Sequence, residues 1–206
     1  MELIRKEEIK GGAEYEEMRP DFRRRIMALK NKRRVPVGEH ITVHFETRDT
    51  MLYQIYEMLR AESSWDRPDA IEEELEAYNP LIPQGGNLSE TLMIEYEIAG
   101  ERTRQLEALV GLDDEHVWLE VGDAGRVAAV FDNAQVSATR ISSVQYIHWP
   151  LDDNQRRVLR GDGTVVRIVI DHPHYQAQAV LGEETRKEIA RDLGLSVRTI
   201  EAHLRN

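Results

Sequence analysis

Residues 117–131 read VWLEVGDAGRVAAVF. Val117, Leu119 and Val121 alternate with Trp118 and Glu120, and Val127, Ala129 and Phe131 repeat the alternation beyond Gly122-Asp123-Ala124-Gly125. A period of two puts alternate side chains on one face of a strand, and a Gly-Asp-Ala-Gly insert turns the chain back on itself, so the segment reads as a β-hairpin. Toward the C-terminus, Gly161-Asp162-Gly163 leads into Val165–Ile170, a strongly β-branched strand, and Tyr175–Val180 follows closely enough to pair with it. Toward the N-terminus, Ile41, Val43 and Phe45 alternate with Thr42, His44 and Glu46, and the stretch Thr91 to Glu97 reads as a further strand, as does Val144 to Trp149 on the C-terminal side.

Helical spacing marks most of the remaining chain. Phe22, Ile26 and Leu29 follow Pro20; Leu52, Ile55 and Leu59 lie between Thr50 and Glu62; Ile71, Leu75 and Tyr78 follow Pro68. Short helices are expected from Glu101 to Val110 and from Asp152 to Gly161, and two more at Glu183–Leu193 and Ser196–Leu204, broken at Gly194. These helices do not alternate one for one with the strands, and hairpins join the strands. The expected fold is therefore α+β: a mixed or antiparallel sheet of about six strands with helices packed beside it, rather than a doubly wound parallel sheet. Residues 1–182 form the body, and residues 183–206 form a C-terminal helical hairpin within the same domain.

The chain has 206 residues, 41% apolar and 32% charged, which is enough to bury a core without a staple. It has no cysteine. That excludes disulfides, thiolate metal sites and a cysteine nucleophile, and it suits a reducing cytoplasm. The opening MELIRKEEIKGG carries charges where a signal peptide needs an apolar run, and no run approaches the ~18 apolar residues of a membrane helix. A cytoplasmic location is expected. The net charge of −11 disfavours nucleic acid and anionic membranes except at a local basic patch. One exists: Arg23, Arg24, Arg25, Lys30, Lys32, Arg33 and Arg34 have no acid among them. Glu62, Asp66, Asp69, Glu72, Glu73, Glu74 and Glu76 form an acidic counterpart. The two segments are expected to pair across the fold or across a dimer, in preference to binding nucleic acid.

Two polar clusters are candidates for chemistry. Glu46 and Arg48 leave a strand, Gln54 and Glu57 share a helix face, and Asn79 ends the next helix; together they form a candidate site for a small polar ligand, or a buried network that fixes strand to helix. Asp171-His172-Pro173-His174 closes a strand, where two imidazoles and a carboxylate are a candidate transition-metal or acid/base site; the competing reading is a turn whose histidines bond to backbone. No Glu-x-x-His, phosphate-loop, dinucleotide or serine-elbow signature occurs.

Taken together, EYEEMRPDFRRRIMALK, VGEHITVHFETRDTMLYQIYEMLRAE, EEELEAYNPLIP, ETLMIEYE, EHVWLEVG, SSVQYIHWPL and IDHPHY resemble the bacterial domain of unknown function 3501 family over roughly residues 15 to 193. The resemblance carries over no catalytic residue. Genes of that family tend to sit beside genes for rubrerythrin-like and iron–sulfur proteins, which implies a role near peroxide or electron-transfer chemistry. The last stretch, KEIARDLGLSVRTIEAHLRN, resembles the helix-turn-helix of LuxR-type regulators, with Arg198, Thr199 and His203 facing outward. Five basic and five acidic residues between 183 and 206 leave that segment no electrostatic excess for phosphates. The reading preferred from sequence is a non-catalytic cytoplasmic accessory protein. It acts through a protein partner or as a homo-oligomer, with redox proteins as candidate partners, no membrane and no predicted cofactor. The alternatives are a DNA-binding regulator and a metal-dependent enzyme using His172 and His174.

Overall fold

The computed structural model describes residues 1–132 and 139–193. Within them the strands are β1 (Arg34–Val37), β2 (Ile41–Phe45), β3 (Leu88–Ile94), β4 (Val117–Val121), β5 (Arg126–Ala128), β6 (Val130–Phe131), β7 (Val144–Trp149), β8 (Val166–His172) and β9 (Tyr175–Val180). The helices are α1 (Gly12–Lys32), α2 (Arg48–Ala61), α3 (Ala70–Tyr78), α4 (Ala99–Ala108), α5 (Asp153–Arg160) and α6 (Glu183–Asp192). The class is α+β, with antiparallel pairing throughout. In place of one sheet of about six strands there are two, ordered β1-β2-β3-β7-β6 and β5-β4-β8-β9.

The hairpin at 117–131 explains the division. β4 pairs with β5 as its alternation requires, but the return strand breaks at Ala129 and continues as β6, which pairs with β7 in the other sheet. One segment thus turns the corner between two packed sheets. The inward residues Val43, Phe45, Leu92, Ile147 and Trp149 of the first sheet meet Val117, Leu119, Val166, Ile168 and Ile170 of the second in one apolar core. Burial of each such side chain contributes about 1.5–3 kcal/mol. At the opposite edge the Tyr175 hydroxyl donates to the Val37 carbonyl at 2.7 Å and accepts from the His40 and Ile41 amides. Gly38 sits there at φ +75°, and a Cβ on it would come within 2.6 Å of that hydroxyl, so a side chain would be excluded both by conformation and by space.

Helices α1, α2 and α3 form a layer over the outer face of the first sheet. Met51, Ile55 and Leu59 of α2 pack with Ala70 of α3, Leu81 and Ile82, and Tyr146 of β7 joins them from the sheet. Helix α1 begins eight residues ahead of Pro20 rather than after it. An internal proline forfeits a hydrogen bond and costs about 3 kcal/mol. Here the first turns are held by Tyr15, whose ring stacks on Tyr56 at 4.4 Å. Helix α6 packs beside α5 and the end of α1. The second helix expected at Ser196–Leu204, with Arg198, Thr199 and His203, lies outside the described residues.

Within one chain the basic segment finds its acids elsewhere than in residues 62–76. Arg24 pairs with Asp21, Arg25 with Asp49, Lys32 with Glu184, Arg33 with Asp192 and Arg34 with Glu95. Of the acidic segment, Glu72 pairs with Lys6 and Glu73 with Arg67. Pairing therefore joins α1 to α2, α6 and the end of the first sheet, not to residues 62–76. Among the described residues no helix is long and apolar enough to cross a membrane.

Candidate functional site

The outer face of the first sheet is a grid set by register. His44, Thr91 and Tyr146 lie side by side on β2, β3 and β7; Thr42, Met93 and Val144 form the neighbouring row. Beyond His44 the strand ends at Glu46, whose amide donates to the Ser89 carbonyl. Thr47 then caps α2: its hydroxyl accepts from the Thr50 amide, and the Thr50 hydroxyl accepts from the Thr47 amide. This turn lays α2 across the grid with Met51 and Gln54 facing the sheet. The space left between them is a cavity of about 260 Å3, closed on its sides by Lys30 of α1 and Tyr78 of α3.

Glu46 dominates this cavity. It is only 4% exposed, yet no cation lies within 4.0 Å of its carboxylate among the described residues. The Thr50 hydroxyl donates to Oε2 at 2.6 Å and the Thr91 hydroxyl to Oε1 at 2.8 Å. Each oxygen thus keeps acceptor capacity toward the cavity. Two positions back on the same strand face, His44 is held below the ordinary imidazole range by burial, with Lys30 and Arg34 acting in the same direction against Glu46. The Lys30 ammonium makes no hydrogen bond or ion pair among the described residues. On the far wall the Gln54 amide and the Tyr146 hydroxyl lie beside the Tyr78 hydroxyl, and burial holds both phenols above their ordinary range. An apolar floor and a few convergent, unengaged polar groups are the usual make-up of a small-molecule site.

The five residues of the first sequence cluster part company here. Glu46 and Gln54 line the cavity. Arg48 pairs with Glu8 and reaches the Glu2 carbonyl. Glu57 accepts two bonds from the Arg19 guanidinium, at 2.7 Å each, and one from the Tyr15 hydroxyl at 2.6 Å. Arg19, foremost, holds its carboxyl down to about 2. Asn79 bonds both backbone groups of Ile4 at 2.9 Å, tying down the N-terminal segment. Lys30, His44, Tyr78, Thr91 and Tyr146 were not singled out as site residues in the sequence. For His44 and Thr91 the signal was there, since both fall on the polar phase of an alternating strand.

At the end of the second sheet, Asp171 accepts at 3.0 Å from His116 if the imidazole Nδ1 is protonated, and the His116 ring meets His172 edge-on at 5.0 Å. His174 lies 5.8 Å from His172, ring to ring. His172 is buried, with Nε2 3.3 Å from the Val110 carbonyl and Nδ1 3.2 Å from the His174 amide. Both nitrogens therefore face backbone, in the neutral Nε2–H form, and burial keeps the ring below its ordinary pKa. No group of three His, Cys, Asp or Glu side chains among the described residues is arranged to hold a metal ion.

Two of the larger hollows lack such a group of unengaged charges. A groove of about 650 Å3 between the N-terminus, α2 and α6 holds Arg33, Arg48 and Arg191, each paired to an acid. A hollow of about 340 Å3 beyond Tyr146 is lined mainly by Pro80, Leu81, Ile82, Phe131 and Ile147, with Ser89, Asp132 and His148 as its polar side.

The family described as "Protein of unknown function (DUF3501)" matches residues 3–193. A crystal structure described as a novel protein of unknown function from Burkholderia pseudomallei K96243 superposes with a TM-score of 0.86 at 34% sequence identity, covering 94% of this chain and 100% of that one. No curated protein matches the chain.

Proposed function

The chain belongs to the DUF3501 family, and on that premise we infer that it is a non-catalytic accessory protein that binds a small molecule in the cavity between α2 and the first sheet. One observation carries this reading. Glu46 is a carboxyl group removed from water, fixed by two hydroxyls and without a counter-ion among the described residues, at the wall of a space large enough for a ligand. Burying an ionised group without a partner opposes folding, and a buried acid with a structural role is normally paired. Buried Asp192 in this same chain is paired in that way, with Arg33, whereas buried Glu90, which has no hydrogen-bond partner among the described residues, has its pKa raised well above 4.5 by burial. A ligand that donates to Glu46 would supply the missing partner. A cytoplasmic setting fits a chain without cysteine.

The test is a thermal-shift panel of small polar metabolites run in parallel on the wild-type chain and on Glu46→Gln. At least one chemical class is expected to raise the wild-type melting temperature, with the rise abolished in the variant. A panel that moves neither protein, or moves both equally, contradicts the reading.

A further inference from the structure

The cavity presents both signs of charge at short range, and this narrows what it can hold. His44 and Glu46 occupy alternate positions on one strand face, about 6.6 Å apart along the chain. Lys30 flanks His44 closely enough to lower its pKa. Glu46 therefore offers acceptors and the Lys30–His44 edge offers donors into the same space, while Met51, Met93 and Val144 line the remainder with apolar surface. An anion entering alone would face the Glu46 carboxylate. A cation entering alone would face the Lys30 ammonium, and an uncharged molecule would leave both ions without a partner in a poorly hydrated site, which is costly. A molecule carrying an ammonium and a carboxylate on one carbon satisfies both groups at once. A volume of about 260 Å3 falls just below the range of about 300–1,000 Å3 usual for drug-sized ligands and leaves no room for a nucleotide or a long peptide.

We propose that the cavity binds a free α-amino acid. Its ammonium donates to Glu46, its carboxylate accepts from Lys30 and His44, and its side chain rests on Met93, Val144 and the ring of Tyr146. The proposal rests on the cavity being a ligand site, as inferred above. It goes further in fixing two opposite charges on the ligand.

Isothermal titration of the full chain with each of the common amino acids tests it, alongside two truncated probes for each amino acid that binds. One probe is its amide, which keeps the ammonium but loses the carboxylate charge. The other is its deaminated acid, which keeps only the carboxylate. At least one amino acid with an apolar or aromatic side chain should bind, and each truncated probe should bind about tenfold more weakly or worse, as expected for loss of one charge-assisted hydrogen bond. Glu46→Gln should weaken the amino acid and its amide, and should tighten the deaminated acid by removing the negative charge that opposes it. Lys30→Met should do the converse, and Lys30→Arg should retain most of the affinity. Lys30 lies on the helix surface, so its variants test the proposal even if Glu46→Gln folds poorly. Equal affinity for the amide identifies a site for organic cations and overturns the proposal while leaving the cavity reading intact; equal affinity for the deaminated acid does the same for an anion site. Failure of every amino acid, with a hit among other metabolites that depends on Glu46, also overturns the proposal alone. Failure of all small molecules removes both.

Discussion

Two clusters of ionisable side chains stand at strand ends, one over each sheet, and they treat their polar atoms in opposite ways. At the end of the second sheet, Asp171, His172 and His174 crowd within one turn with His116 beside them, yet His172 has both ring nitrogens against backbone and Asp171 faces His116. Over the first sheet, Glu46, Lys30 and His44 share a cavity and none of them forms an ion pair with another. The first cluster looked more like chemistry in the sequence because its residues are adjacent. The second has more capacity for chemistry because its charged groups are left without ion pairs among the described residues. Proximity of reactive residue types is thus a poorer guide than an account of which donors and acceptors already have partners.

That contrast predicts stability effects of different size and sign. The largest concerns Glu57, the most fully engaged acid of the original cluster. Glu57→Ala leaves the Arg19 guanidinium and the Tyr15 hydroxyl without their shared acceptor. Its ordinary carboxyl value of 4.5 drops to about 2 in the fold, and at 1.36 kcal/mol per unit, reduced for partial exposure, the loss is roughly 2–3 kcal/mol. Because the folded value is depressed, this stabilisation is present above pH 4.5 and disappears as pH falls toward 2. Denaturant melts of wild type and variant at pH 7 should differ by that amount and converge in strong acid.

Next comes His172→Ala, which strips the Val110 carbonyl and the His174 amide of their partner and opens a void. A loss of about 2 kcal/mol is expected. Added zinc should leave the wild-type melting temperature unchanged; a metal-dependent rise that His172→Ala abolishes would place that turn with the binding sites instead. Acid adds a sign to the same contrast. His44 and His172 are both held below the ordinary value of 6.5, chiefly by burial. The unfolded chain therefore takes up protons first, and the part of the stability due to these rings, complete above pH 6.5, declines below it. Melts of wild type and of His172→Ala from pH 7.5 to 5.5 should show the variant losing less on acidification.

A third acid sharpens the comparison from inside the core. Glu90 points inward between Phe45 and Ile147, is 1% exposed, and has no hydrogen-bond partner on either oxygen among the described residues. Burial raises its pKa well above 4.5, with Glu46 across the sheet adding to the effect. A raised folded value means that its unfavourable contribution grows as pH rises above 4.5. Glu90→Gln should therefore be more stable than wild type by about 1 kcal/mol at pH 7 and level with it at pH 4. Smallest of all is Glu46→Gln, which keeps the shape and one hydroxyl contact. Its stability should lie within about 1 kcal/mol of wild type, while ligand binding is lost.

Much of the fold followed from the chain's periodicity. The alternation at 41–46 and 144–149 gave strands and their faces, and Asp152 marked the start of α5. What periodicity could not convey was the change of sheet at Ala129, because a strand that turns a corner keeps its alternation while exchanging partners. Nor could it show α1 running through Pro20, since the compensating stack of Tyr15 on Tyr56 joins residues 41 positions apart in the chain. The site was half visible. Glu46 and Gln54 were singled out as polar residues near a strand-to-helix junction. Arg48, Glu57 and Asn79 looked equivalent, and only the tertiary partners Glu8, Arg19 and Ile4 distinguish them. Lys30 read as one charge in a basic run until the fold turned it toward His44 and away from the acids that engage its neighbours.

The six methionines permit a direct test of where ligands bind. Met51 and Met93 line the cavity, whereas Met18 and Met27 pack between α1 and α2. With the methionine methyls carbon-13 labelled, a pool of amino acids, amines and small carboxylic acids should shift the NMR signals of Met51 and Met93 and leave those of Met18 and Met27 in place. Shifts confined to Met18 and Met27, or a spectrum that no member of the pool perturbs, would contradict the assignment of this cavity as the ligand site.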